Sequence, residues 1–596
     1  MNEPQKNFLK AEIPLTESMP IYMPEIDLEL FDNKKITRYF DLIDKFYQAN
    51  LAKLTAGISP AAINMDTMSW LSQLAQSPGH LLELCCYPYM NYDTYFHRIF
   101  HPEEKSEEDE DVRFHNEEWN DLPWRLWSES FLQIEKWWCI ATNEVPGLPQ
   151  HTERKVSFFA RQILDALSPS NFIFTNPELF YQTIRSGGEN LVRGTELAVE
   201  HMFRRFTGAP PPGADNFIPG KDVAVTPGKI VYKNHLIELI QYEPQTKTVH
   251  KEPLLIIPAW IMKYYILDLS PGNSLVKWLV EQGHTVFMIS WRNPGSGDRY
   301  LGMDDYYRLG AMVAIDKISE LCPKAKINLT GYCLGGTLAM LTAAAMAENK
   351  DKRLNSLTLF AAQGDFAEAG ELMIFISQSE ISFLKNMMWA QGYLDTKQMA
   401  GAFQLLRSYD LIWSKMIQDY MHGRERGMID LLAWNADATR MPYKMHSEYL
   451  EKLFLHNEFA NGHYSIDGKP IAPKNITLPS FIVSAEKDHV APWQSVYKAH
   501  LLFNSDITFV LTSGGHNAGI VSEPEHKGRY YRIREQKTGH TYLNPKTWLK
   551  KAPKKDGSWW FSFDEWLTEQ NSSKRVPARK LDDSLEEAPG TYVLQK

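Results

Sequence analysis

The sequence predicts an α/β fold that carries a helical cap insertion and is preceded by a mainly helical N-terminal domain. Three observations predict it. Short apolar runs alternate with helical segments from residue 229 to about 365 and again from 478, as in a parallel sheet with right-handed crossovers. Residues 1–205 and about 366–475 show helical spacing without that alternation. The stretch "TGYCLGGT" (330–337) sets Cys333 between glycines in the spacing of a G-x-S-x-G nucleophile elbow, with sulfur replacing oxygen.

In chain order, "ISPAAINMDTMSWLSQLAQSPGHLLELC" and "PELFYQTIRSGGENLVRGTELAVEHMFRRF" place apolar residues at three- and four-residue steps, hence helices. The acidic run at 103–111 is expected to be a solvated loop. The aromatic stretch after it, "EEWNDLPWRLWSESFLQIEKWW", is expected to pack inside. "TGAPPPGADNFIPG" (207–220) is rich in Pro and Gly and falls in a linker drawn at 206–228.

The unit from 229 to 596 then begins with "KIVYKNHLIELIQY", a hairpin turning near "KN". Strands follow at "PLLIIPAW", "HTVFMISW", "KINLT" and "LNSLTLFAA", with helices between them. The aromatic, Met-rich segment of about 366–475 reads as the cap. The sheet resumes at "LPSFIVSAEKD" (478–488) and "DITFVLTSGGH" (506–516).

Bulk properties narrow the function. At 596 residues the chain exceeds one ordinary domain, and 44% hydrophobic with 23% charged residues is globular composition. A net charge of -10 argues against nucleic acid and anionic membranes as partners. Five cysteines without a CxxC pair argue against a disulfide scaffold and a thiolate metal site. The N-terminus "MNEPQKNFLKAEIPLTE" lacks a basic-then-apolar signal, and "LAMLTAAAMA" (338–347) is too short to span a bilayer. A reducing cytoplasmic setting without a transmembrane segment is expected.

The elbow lies between a strand and a small-residue helix whose N-terminus favours thiolate at Cys333. An acid and a His should follow it in that order. Asp488 lies just past "FIVSA" and His516 just past "ITFVLT", both at strand ends. His516 is expected as general base and Asp488 as the group that orients it. Asp365 is a competing acid. His489 is expected to pack or to orient a neighbour. The backbone N–H of Leu334 is expected as one oxyanion donor, with a second near Ile261.

Sulfur points to a thioester substrate. Transfer to Cys333 exchanges one thioester for another, so the acyl group stays activated until a hydroxyl takes it. Such a transferase must exclude water, a task for the aromatic cap.

Over roughly residues 110–570 the chain resembles the poly(3-hydroxyalkanoate) synthases. The likeness is carried by "NPELFYQTIRSGGENLVRG", "YYILDLSPGNSLVKWLVEQGHTVFMISWRNP", "GYCLGGT", "DLLAWNADATRMP" and "DHVAPWQSVYK". The resemblance implies an α/β-hydrolase core with a cap and polymerisation of (R)-3-hydroxyacyl-CoA, releasing coenzyme A as product with no cofactor. It matches Cys333, Asp488 and His516 to the family's catalytic residues. It also implies a single-subunit homodimer that binds a growing polyester at cytoplasmic storage granules. Two departures stand out. "PAWIMK" carries Ala259 and Met262 where the family commonly has Pro and Asn, which makes Met262 an entrance candidate. Asn517 replaces a usual apolar residue. The alternatives are a Cys-nucleophile hydrolase of esters or lactones, and a non-catalytic granule-associated protein.

Overall fold

The computed structural model describes residues 33–55, 57–101 and 111–596. Apart from Asp111, the acidic run lies outside the described residues. Among the described residues, eight α-helices fill the first part, from Asn33–Leu54 to Glu189–Thr207. Their starts follow capping chemistry. Ser59 accepts from the Ala62 N–H at 3.3 Å ahead of Pro60, and Asn176 accepts from Leu179 at 3.2 Å ahead of Pro177. The aromatic stretch packs largely inside: Trp119, Trp124 and Phe131 form a buried cluster with Phe114 and Leu164, while Trp127 is exposed.

Among the described residues the central sheet has ten strands: β1 Gly228–Lys233, β2 Ile237–Tyr242, β3 Leu254–Ile257, β4 Val286–Trp291, β5 Ile327–Tyr332, β6 Leu354–Phe360, β7 Ser480–Ala485, β8 Ile507–Thr512, β9 Tyr530–Gln536 and β10 Lys554–Asp556. Their spatial order is β1-β2-β4-β3-β5-β6-β7-β8-β9-β10. The run from β4 to β8 is parallel, as expected. Both flanks are antiparallel, so the sheet is mixed. At the first hairpin, Asn234 Oδ1 accepts from the N–H groups of Leu236 and Ile237 at 2.8 and 2.9 Å, which fixes the turn. Strands β2 to β5 are buried along their length, with Glu238 and Gln241 of β2 and Asn328 and Thr330 of β5 buried among apolar residues.

Topology locates the site. From β3 the chain crosses to β4 on one side, then to β5 on the other. The loops after β3 and β5 therefore diverge and open a crevice at the carboxyl ends of the strands.

The insertion between β6 and β7 caps this end. It joins the loop after β3: the Thr439 backbone N–H donates to Ile261 O at 3.0 Å, and the Trp434 side-chain Nε1 donates to Lys263 O at 2.8 Å. The N-terminal helices grip the outer side of the cap. Lys155 pairs with Asp66 at 3.0 Å and with cap residue Glu380 at 2.5 Å. Gly194 meets the cap backbone so closely that an added Cβ would stand 1.8 Å from Tyr420 O.

Candidate active site

Cys333 ends β5 and starts the helix Leu334–Glu348. Its φ of 50° and ψ of −118° are strained for a residue with a side chain. Its N–H donates to Phe360 O at 2.9 Å, and its carbonyl accepts from Gly336 and Thr337 at 2.9 and 3.1 Å. Three glycines permit this turn. A Cβ on Gly331 would stand 2.4 Å from Gly336 Cα, and one on Gly336 would stand 2.3 Å from Ala362 Cβ. At Gly335 a Cβ would meet Ile257 O at 2.0 Å and Pro258 O at 2.6 Å. The elbow helix thus touches the backbone that leads into Ile261. Leu334 and Ile261 pack against the same two apolar clusters. The Leu334 N–H, at the first helical position, has no acceptor within its own helix.

Asp488 and His516 are brought together. His516 Nδ1 and Asp488 Oδ2 are 2.7 Å apart. The other carboxylate oxygen of Asp488 accepts from the N–H groups of Val490 and Ala491 at 2.9 and 2.8 Å. The Asp488 carboxylate is fully buried, and the imidazole nearly so. Burial works against a charged ring, yet Asp488 and Cys333, through charge and hydrogen bonding, raise the His516 pKa well above its ordinary value. With Nδ1 on Asp488, Nε2 is the nitrogen left for the Cys333 sulfur.

The other candidates are placed elsewhere. Asp365 accepts from Ala367 N–H at 2.8 Å and from Asn457 Nδ2 at 3.0 Å, at the root of the cap. The His489 ring is partly buried, and burial together with the Arg407 charge lowers its pKa. Its Nδ1 is buried without a hydrogen-bond partner. Met262 forms a bridge with Ala438 of the cap and packs against the apolar cluster that also contacts Cys333.

Sequence reasoning missed two neighbours of the elbow. Tyr332, fully buried just before Cys333, lies 5.9 Å from the His516 ring, centroid to centroid. Its position beside Cys333 in the elbow was the available signal. Tyr449, from the cap, is buried against Trp260, Phe366 and Phe454. Burial, then the nearby Cys333, raises its pKa. Nothing in the local sequence marks Tyr449.

Comparison with known proteins agrees with this architecture. A family profile described as alpha/beta hydrolase fold matches residues 252–523. Profiles described as Poly-beta-hydroxybutyrate polymerase (PhaC) N-terminus and Poly-beta-hydroxybutyrate polymerase N terminal match residues 110–279 and 38–80. A poly(3-hydroxyalkanoate) polymerase of Methylorubrum extorquens is 40% identical over 494 residues, which cover 82% of this chain and 81% of that protein. The chain belongs to the poly(3-hydroxyalkanoate) polymerase family.

Other members of this polymerase family are similar over a comparable span. The Rhizobium etli poly(3-hydroxyalkanoate) polymerase subunit PhaC is 39% identical over 493 residues, 82% of this chain and 77% of its own length. The Cupriavidus necator PhaC subunit is 34% identical over 500 residues, 82% and 83% of the two chains. As a polymerase of this family the chain is an enzyme of the acyltransferase type. No helix among the described residues is long and apolar enough to cross a membrane.

Proposed function

We propose that the chain joins (R)-3-hydroxyacyl units from coenzyme A thioesters into a poly(3-hydroxyalkanoate) polyester, through a covalent thioester on Cys333. The observation that carries this reading is the strained Cys333 elbow facing a His516 that is held by a buried Asp488.

His516 Nε2 takes the thiol proton, and the Cys333 sulfur attacks the substrate thioester carbon. The backbone N–H groups of Leu334 and Ile261 receive the developing oxyanion. The bond from carbon to the coenzyme A sulfur breaks, and that sulfur takes the proton from His516. The hydroxyl of a second acyl unit then gives its proton to His516 and attacks the Cys333 thioester. An ester bond forms, the Cys333–carbon bond breaks, and the proton returns from His516 to sulfur. Asp488 keeps the imidazole in the required tautomer throughout. The aromatic cap over the strand ends excludes water that would hydrolyse the acyl-enzyme.

The same reading assigns a helical domain to 1–205, of which residues 1–32 lie outside the described residues, a linker to 206–228 and the catalytic unit to 229–596, with the cap at about 366–475. It requires no cofactor. It also expects a homodimer working at the surface of its own polymer granule in the cytoplasm.

Purified protein offered 3-hydroxybutyryl-CoA and longer homologues should release coenzyme A and build polymer in step. Cys333→Ala should abolish both. Coenzyme A release without polymer would favour a thiol hydrolase, and polymer synthesis by Cys333→Ala would overturn the site assignment.

A further inference from the structure

Asn517, the residue after the general base, links three separate parts of the molecule. Its Oδ1 accepts from the Tyr332 hydroxyl at 2.6 Å. Its Nδ2 lies 3.4 Å from Oδ1 of Asn435, on the cap helix Asp430–Ala436. Its carbonyl is already used within a tight turn, accepting from Ile520 and Val521 N–H groups at 3.0 Å each. The loop that carries His516 is thus folded on itself, and the Asn517 side chain is its tie to β5 and to the cap.

Tyr332 makes that tie matter. Its ring lies against the His516 imidazole at 38°. Its far end is the hydroxyl held by Asn517, and the whole side chain is buried. Burial keeps the phenol neutral, so it remains a donor. A buried hydroxyl without an acceptor would be driven to reorient, and its ring would shift against the imidazole.

We infer that Asn517 is a positioning residue: by holding the Tyr332 hydroxyl and meeting Asn435, it sets the His516 ring opposite Cys333 and ties the base loop to the cap. This rests on the triad reading above. Asn517 itself touches no reacting atom.

Asn517→Leu keeps the side chain's shape and removes its polarity, and Tyr332→Phe removes the same bond from the other end. Each should lower kcat for coenzyme A release about tenfold, since small displacements of a catalytic group are costly, with KM within about twofold. The double variant should fall no further than the worse single, because the two changes delete one interaction. Alkylation of Cys333 by iodoacetamide at neutral pH, followed peptide by peptide to separate it from the other cysteines, should slow by a similar factor. Wild-type kcat and alkylation in Asn517→Leu would overturn the inference, as would a double variant equal to the product of the singles. If Asn517→Leu does not fold, unchanged kcat and alkylation in Tyr332→Phe overturn it instead. Should the wild type release no coenzyme A, the proposed function falls, while the alkylation rates still decide the role of Asn517.

Discussion

Asp488 has little freedom left. One carboxylate oxygen is held by two backbone N–H groups and the other by His516, in a buried setting. The charge that raises the His516 pKa is therefore fixed in place before any substrate arrives. This has a consequence for stability. A histidine whose folded pKa lies above its unfolded value, about 6.5, contributes its full stabilisation below that value. The contribution is lost as the pH rises through the folded pKa, because the unfolded chain gives up its proton first. His516→Gln should therefore lower the Tm most near pH 6, with the gap to wild type narrowing as the pH is raised well above about 6.5. Thermal unfolding across that range checks it, and a constant or widening gap would contradict the pairing.

Between β5 and its helix the fold depends on absent side chains. Gly335 lets the elbow helix rest on the carbonyls of Ile257 and Pro258, at distances no Cβ tolerates. These contacts are to backbone, which cannot rotate away. Gly335→Ala should cost about 3–5 kcal/mol or prevent folding, by overpacking and by displacing the elbow. Gly401→Ala, in a cap helix where a Cβ would meet nothing within 4 Å, should be neutral or stabilise by up to about 1 kcal/mol. Urea unfolding of both variants reads the difference; equal effects would mean that the close approach is not what Gly335 serves. The glycines, like β1 to β8, were legible in the sequence, because a turn spacing and a buried apolar run are local signals. The last two strands were not. The β9 segment Tyr530–Gln536 is polar and half exposed, so it shows no apolar run, and its strand state comes from pairing with β8. The short strand Thr248–His250 pairs with Arg575–Pro577, too far along the chain for a local pattern. The elbow at Cys333 and the meeting of Asp488 with His516 were legible from chain order and strand ends. Tyr449 reaches the elbow only through the path of the cap.

At the scale of the whole molecule, two remote segments, the cap and the chain's last residues, converge on the loop after β3. The cap reaches it through Trp434 and Thr439. The chain's last residues reach it through Lys263, a buried side chain two positions past Ile261. Lys263 Nζ donates to Gln595 O at 2.5 Å and lies 3.4 Å from Tyr592 O. Burial, partly offset by Asp437, lowers the Lys263 pKa to about 8. Cap and tail also meet directly, where Arg440 donates to Lys596 O at 2.6 Å. On the other side, Glu238 of β2 accepts from Thr591 and Tyr592 N–H groups at 3.1 and 2.9 Å. Without the tail, Lys263 would be a buried cation stripped of its carbonyl partners, the costly half of a broken polar contact. Removing residues 591–596 should therefore cost about 3–5 kcal/mol in unfolding free energy and, on the proposed role of the Ile261 N–H, slow coenzyme A release, because the loop after β3 loses its support. In a Lys263→Met background the stranded charge is gone, so the same truncation should cost clearly less. Urea unfolding of the four proteins separates the cases. An equal truncation cost in both backgrounds would mean that the tail acts through Glu238 or Arg440, and that Lys263 is not the link between the tail and the site.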